Sequence, residues 1–127
     1  MTERVVLSVA RVLAWLGATA IVILSVVPAA DRPVTGAGHA PEHFAAFALV
    51  AATFAVGYRF SLAKSLVVSL AFCAGIELLQ TPLPTRHARL SDFIVDLATA
   101  WLVIAAIRIW FSLFPAAPSN DGKNEYQ

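Results

Sequence analysis

The chain has 127 residues, 59% of them hydrophobic and 13% charged, with a mean hydropathy of +0.76. Soluble domains sit near 45–50% apolar and about 25% charged, and a small domain cannot bury this much apolar surface. That excludes a soluble enzyme domain, a disordered chain and a disulfide scaffold, and leaves an integral membrane protein built as one unit.

Nine Lys and Arg against eight Asp and Glu give a net charge of +1. The basic residues are scattered apart from Arg86 and Arg89, so no groove for nucleic acid is expected. The lone cysteine, Cys73, lies in an apolar run and reads as a buried thiol.

The hydropathy pattern predicts an all-α bundle of four transmembrane helices at about 5–28, 41–59, 62–80 and 91–114. Together they form one transmembrane domain over 1–115, followed by a polar tail over 116–127 expected to be disordered. The first segment has a rival reading as a secretory signal peptide, with a basic start and small residues near Ala29 and Ala30. Its long apolar run and the internal Arg11 favour a retained helix. The second segment starts at Pro41 or Glu42, since proline suits a first turn and an acid suits the positive helix end. The third runs to Gln80 before Pro82 and Pro84, and the fourth opens on Ser91 as an expected N-cap with Asp92 in its first turn. Glu42-His43-Phe44 and Ser91-Asp92-Phe93 open the two returning helices, a faint sign of two similar hairpins.

Orientation follows from the basic residues. Arg4, Arg11, Arg59, Lys64, Arg108 and Lys123 fall on one side, and Arg32, Arg86 and Arg89 on the other. The excess places both termini in the cytoplasm. Arg11, Arg59, Lys64 and Arg108 read as snorkelling anchors of that inner face.

The loops at 31–42 and 81–91 then share the outer side, and the polar residues gather there. His43 lies in the first turn of the second helix, Glu77 and Gln80 are i,i+3 partners, and Arg86, His87 and Arg89 occupy the loop. Asp92 and Asp96 are i,i+4 partners on one face. Asp96 lies ~6 Å deeper than Asp92 at 1.5 Å per residue. A carboxylate in the apolar zone costs roughly 2.5–3.5 kcal/mol on insertion scales, so such groups face a bundle interior and take partners. Arg86 and Arg89, with His43 as a third, are the expected partners of Glu77 and Asp96. The cluster is either a site for a phosphate or sugar headgroup, a proton shuttle, or a salt-bridge clamp on a short loop.

His39-Ala-Pro-Glu42-His43 fits the H-x-x-E-H pattern of zinc proteases. Pro41 at a helix start would leave His39 outside the helix, so no metal site is expected there; zinc with Glu77 or Asp96 as a third ligand stands only as an alternative. No nucleotide loop, nucleophile elbow or Cys–Cys spacing is present, and no cofactor is expected.

The spacing Glu77-x-x-Gln80-x5-Arg86-x5-Asp92, with His43-Phe44 opening the preceding helix, resembles the VanZ-like family. These are small bacterial membrane proteins named after a protein associated with teicoplanin resistance. The resemblance covers about Pro28 to Ile107. Departures are Asp96 and Thr99, where family members often carry Asn and Gly, Phe47 where many have Tyr, and His39-Ala40 in place of an acid–Lys pair. The resemblance implies a multi-pass protein of the bacterial inner membrane with a role in the cell envelope. The expected function is therefore binding of an anionic or sugar-bearing envelope component, or a glycopeptide-related ligand, at His43, Glu77, Gln80, Arg86, Asp92 and Asp96. Arg86 would be the anion contact, with Glu77 oriented by Gln80. The alternatives are an enzyme acting on a lipid-linked substrate, with Glu77 or Asp96 as acid/base, and a structural subunit of a membrane complex. Expected partners are the bilayer, a lipid-linked precursor or glycopeptide, or a membrane protein.

Overall fold

The computed structural model describes residues 2–31, 36, 38–83 and 89–115. Among the described residues there are four α-helices, α1 (Thr2–Val26), α2 (His39–Gly57), α3 (Leu62–Gln80) and α4 (Leu90–Leu113), with a 3-10 turn at Ala29–Asp31. Each is long and apolar enough to cross a bilayer. The chain is an all-α bundle of four transmembrane helices, and its tail over 116–127 lies outside the described residues.

Two helix starts differ from expectation. His39 is the first residue of α2 and not part of the preceding loop. Pro41 sits two residues further in, where it is tolerated because the first N–H groups of a helix have no intrahelical acceptor. Ser91 is not the cap of α4; the cap position is Arg89, without a side-chain cap bond, and Ser91 Oγ instead donates to Asp92 Oδ1 at 3.2 Å. The capping serine is Ser61, whose Oγ accepts the backbone N–H of Lys64 at the start of α3.

Small side chains govern how α1 meets α2. Ala10, Ala14, Ala18, Ile21 and Ser25 are buried at helical spacing along one stripe of α1. In lipid, helices associate through close packing and not through hydrophobic exclusion, so small residues at a contact let backbones approach. A Cβ on Gly17 would lie 2.8 Å from Val50 Cγ2, and one on Gly57 would lie 3.1 Å from the backbone N of Arg11. Outside this seam the usual soluble pattern is inverted, with Leu78, Leu90 and Leu102 among the most exposed side chains.

The packing order is not the chain order. α2 is central, packed on α1 and α4, while α3 packs on α4 and lightly on α1 and stands off α2. α2 and α4 run parallel, with His43 against Asp96 near their starts and Ala51 clustered with Ala100 and Ile104 further along. The bundle is thus two antiparallel hairpins, α1–α2 and α3–α4. Trp101 Nε1 donates to Ser69 Oγ at 3.1 Å and ties α4 to α3.

At one end of the bundle, basic residues fold back onto the α2–α3 turn. Arg11 Nε donates to the Gly57 carbonyl at 2.8 Å, Arg108 Nη2 donates to the Phe60 carbonyl, and Arg59 pairs with Glu3 at 2.7 Å. A helix C-terminus leaves carbonyls without partners and carries partial negative charge, so cations are well placed there. These arginines hold protein groups and do more than anchor the chain in headgroups.

Candidate functional site

Glu77, Asp92 and Asp96 collect at the opposite end. Asp96 lies six residues into α4 from Leu90, about 9 Å along the axis at 1.5 Å per residue. It is 2% exposed. Its two oxygens each lie 3.3 Å from His43 Nδ1 on the parallel helix α2. A carboxylate that meets one ring nitrogen with both oxygens is an acceptor for the Nδ1 proton. The imidazole is held from below as well, stacked on Phe47 with ring centroids 6.2 Å apart.

Glu77, in the last turn of α3, is half-buried and points across to α4. Its Oε2 accepts the backbone N–H of Arg89 at 3.0 Å. Arg89 occupies the cap position of α4, so a side chain from a neighbouring helix does what the N3 glutamate does in a capping box. Asp92 is half-buried in the first turn of α4, where its charge suits the helix dipole.

Of the partners expected for Asp96, the structure shows His43, the third, and among the described residues not the Arg89 guanidinium. Glu77 is oriented by the Arg89 backbone, whereas Gln80 is buried at the end of α3 and makes no hydrogen bond to it among the described residues. Arg86 and His87 lie outside the described residues. The structure therefore brings His43 and Asp96 into contact and places Glu77 and Asp92 at the same end. Two residues with no assigned role join them: Thr99, one turn below Asp96, and Cys73, one turn below Glu77, both buried. For Thr99 the signal was its i,i+3 spacing from Asp96.

Among the described residues no group of three His, Cys, Asp or Glu could hold a metal ion. Beneath the polar end lies an apolar cavity of about 330 Å³ whose nearest walls are Phe47, Cys73 and Ala100. His43, Glu77, Asp92 and Asp96 do not line it. Chemically, the end offers carboxylates of graded exposure and one imidazole held by a buried acid. Such a set can accept hydrogen bonds from hydroxyl groups and can move a proton at the ring.

The chain matches no family model, no curated protein and no solved structure.

Proposed function

We propose that the chain is a VanZ-like protein of the bacterial inner membrane that binds a sugar-bearing envelope component at the His43–Asp96 end of the bundle. The supporting observation is the His43–Asp96 contact itself, a buried acid against a half-buried imidazole, each inside a membrane-spanning segment. Such residues are costly in the apolar zone and tend to mark ligand or proton pathways. Asp96, Glu77 and Asp92 are hydrogen-bond acceptors when ionised, which suits a hydroxyl-rich ligand such as a sugar or a glycopeptide. Contact with an anionic group is the part assigned to Arg86. The basic residues around the α2–α3 turn favour placing that end, and both termini, in the cytoplasm. The polar end then faces outward, toward lipid-linked envelope precursors.

The test is glycopeptide susceptibility of a bacterial host expressing the chain, at matched membrane levels, for wild type, Glu77→Gln, Asp96→Asn and Arg86→Ala. The reading expects wild type to shift susceptibility and the variants to lose the shift while still accumulating. Unchanged susceptibility with normal accumulation would remove it, and loss of accumulation would favour a structural clamp.

One feature favours a second reading, an enzyme acting on a lipid-linked substrate. A carboxylate engaging Nδ1 orients an imidazole for proton transfer at its other nitrogen. In that case His43, 16% exposed in its side chain, is the acid/base and Asp96 is its positioning residue. Turnover of a polyprenyl-linked substrate by the purified chain, lost in His43→Gln, distinguishes this from binding.

A further inference from the structure

We propose that the apolar cavity seats one acyl chain of an anionic phospholipid, taken from the leaflet on the side of the α2–α3 turn, with Lys64 against its headgroup. The cavity exists because α3 stands off α2, and its walls come from all four helices, among them Phe54, Phe72, Ala100 and Ile104. Its volume of about 330 Å³ lies at the lower end of the ~300–1,000 Å³ usual for ligand pockets.

Its length matches one leaflet. The walls run from Phe47 on α2 to Tyr58 at its C-cap, about 16 Å at 1.5 Å per residue, close to half of a ~30 Å hydrocarbon core. Water is a poor occupant, because a buried water needs two to four polar partners. The hydroxyls in the wall are already engaged: Ser65 donates to the Ser61 carbonyl, Ser69 bonds the Leu66 carbonyl and Trp101, and Tyr58 accepts from Trp15. The surrounding bilayer supplies hydrocarbon chains at high concentration.

Charge selects the headgroup. Of the other described cations at this end, Arg11 and Arg108 donate to backbone carbonyls, Arg59 pairs with Glu3, and Arg4 does not border the cavity. Lys64 is the one that lines the cavity, its Nζ lying 4.1 Å from the Phe60 ring centroid. It pairs with no carboxylate among the described residues. A phosphate at the mouth of the cavity would neutralise it while the chain fills the space behind. This seat is independent of the polar end, since none of the carboxylates there borders the cavity.

The experiment reconstitutes the full chain in phosphatidylcholine vesicles and titrates phosphatidylglycerol or phosphatidylcholine carrying brominated acyl chains, with tryptophan fluorescence as the readout. Trp15 lines the cavity, and the difference between wild type and Trp15→Phe isolates its quenching. The expected result is a saturable component reaching half-effect at an about fivefold lower fraction of phosphatidylglycerol, the size of one lysine near an anionic surface. Lys64→Gln should erase the headgroup preference. Ala55→Phe, which fills the cavity, should erase the saturable component, and Val68→Phe, which enters from an exposed position on α3, guards against a folding defect. Equal quenching by the two lipids in wild type, or a saturable component untouched by both filling variants, would overturn the proposal.

Discussion

Asp96 and His43 lie 53 residues apart in the chain, yet the carboxylate meets His43 Nδ1 with both oxygens at 3.3 Å. The contact exists because α2 and α4 run parallel and start at the same end of the bundle. It places a 2%-exposed acid against a ring that is itself packed on Phe47, so each partner satisfies a group the other would leave stranded. His43→Ala should cost about 2–3 kcal/mol, the upper range for a buried acceptor stripped of its partner. Removing both polar groups in His43→Ala/Asp96→Ala should cost less than the sum of the single changes, because no orphaned charge remains. Unfolding in detergent measures both. A double variant whose loss equals the sum would mean that the pair carries no coupling.

The seam between α1 and α2 makes a separable prediction at two glycines. Gly17 faces a side-chain atom of Val50 at 2.8 Å from an added Cβ. Gly17→Ala should therefore destabilise by about 1–3 kcal/mol, the usual cost of overpacking, and Val50→Ala in the same chain should recover part of it. Gly57 faces Arg11 Cγ at 3.0 Å and two backbone atoms of α1, Arg11 N at 3.1 Å and the Ala10 carbonyl carbon at 3.3 Å. Moving the Arg11 side chain relieves only the first of these, so Gly57→Ala should push α1 and α2 apart by a few tenths of an ångström and weaken the Arg11 bond to the Gly57 carbonyl. Thermal unfolding of Gly17→Ala and Gly57→Ala, each with and without Val50→Ala, decides whether the second site lacks a rescue.

Much of this architecture is legible in the sequence, and the exceptions share a cause. Hydropathy marks four spans, but α3 and α4 are apolar almost all round and carry no stripe that says which helix they meet. The i,i+4 spacing puts Asp92 and Asp96 on one face and names His43 among their partners; that Asp96 takes His43 follows from α4 packing beside α2, a fact of packing order. Arg11 and Arg108 were readable as interfacial cations, whereas their acceptors, the carbonyls of Gly57 and Phe60, are backbone groups that no side-chain pattern reveals. The cavity is invisible for the same reason, since it depends on α3 standing off α2.

The α2–α3 turn depends on its two arginines. Arg11 Nε bonds the Gly57 carbonyl at 2.8 Å and its guanidinium carbon lies 5.3 Å from the Tyr58 ring centroid. Lysine keeps the charge but lacks the planar fork and the Nε donor. Arg11→Lys should thus lower stability by about 1 kcal/mol, less than the full value of a charged hydrogen bond because the site is partly wet. Arg11→Ala should cost more and expose the turn to proteolysis at Arg59. Limited trypsin digestion in detergent reads this directly, and an unchanged cleavage rate in Arg11→Ala would show that the turn is held by Arg108 and packing instead.

Two serines that look alike in sequence should behave differently. Ser61 precedes α3 and its Oγ accepts the backbone N–H of Lys64 at 3.3 Å. Ser91 sits inside the first turn of α4, and its hydroxyl is spent on Asp92. Replacing a capping serine by alanine costs about 0.5–2 kcal/mol, and the long, exposed bond at Ser61 places Ser61→Ala near the lower bound. Ser91→Ala removes no cap, adds a better helix former at an exposed position, and should be neutral or slightly stabilising. Unfolding midpoints of the two variants in one detergent make the comparison. A larger loss for Ser91→Ala would mean that the Ser91–Asp92 contact, and with it the position of Asp92 at the polar end, matters more than the cap.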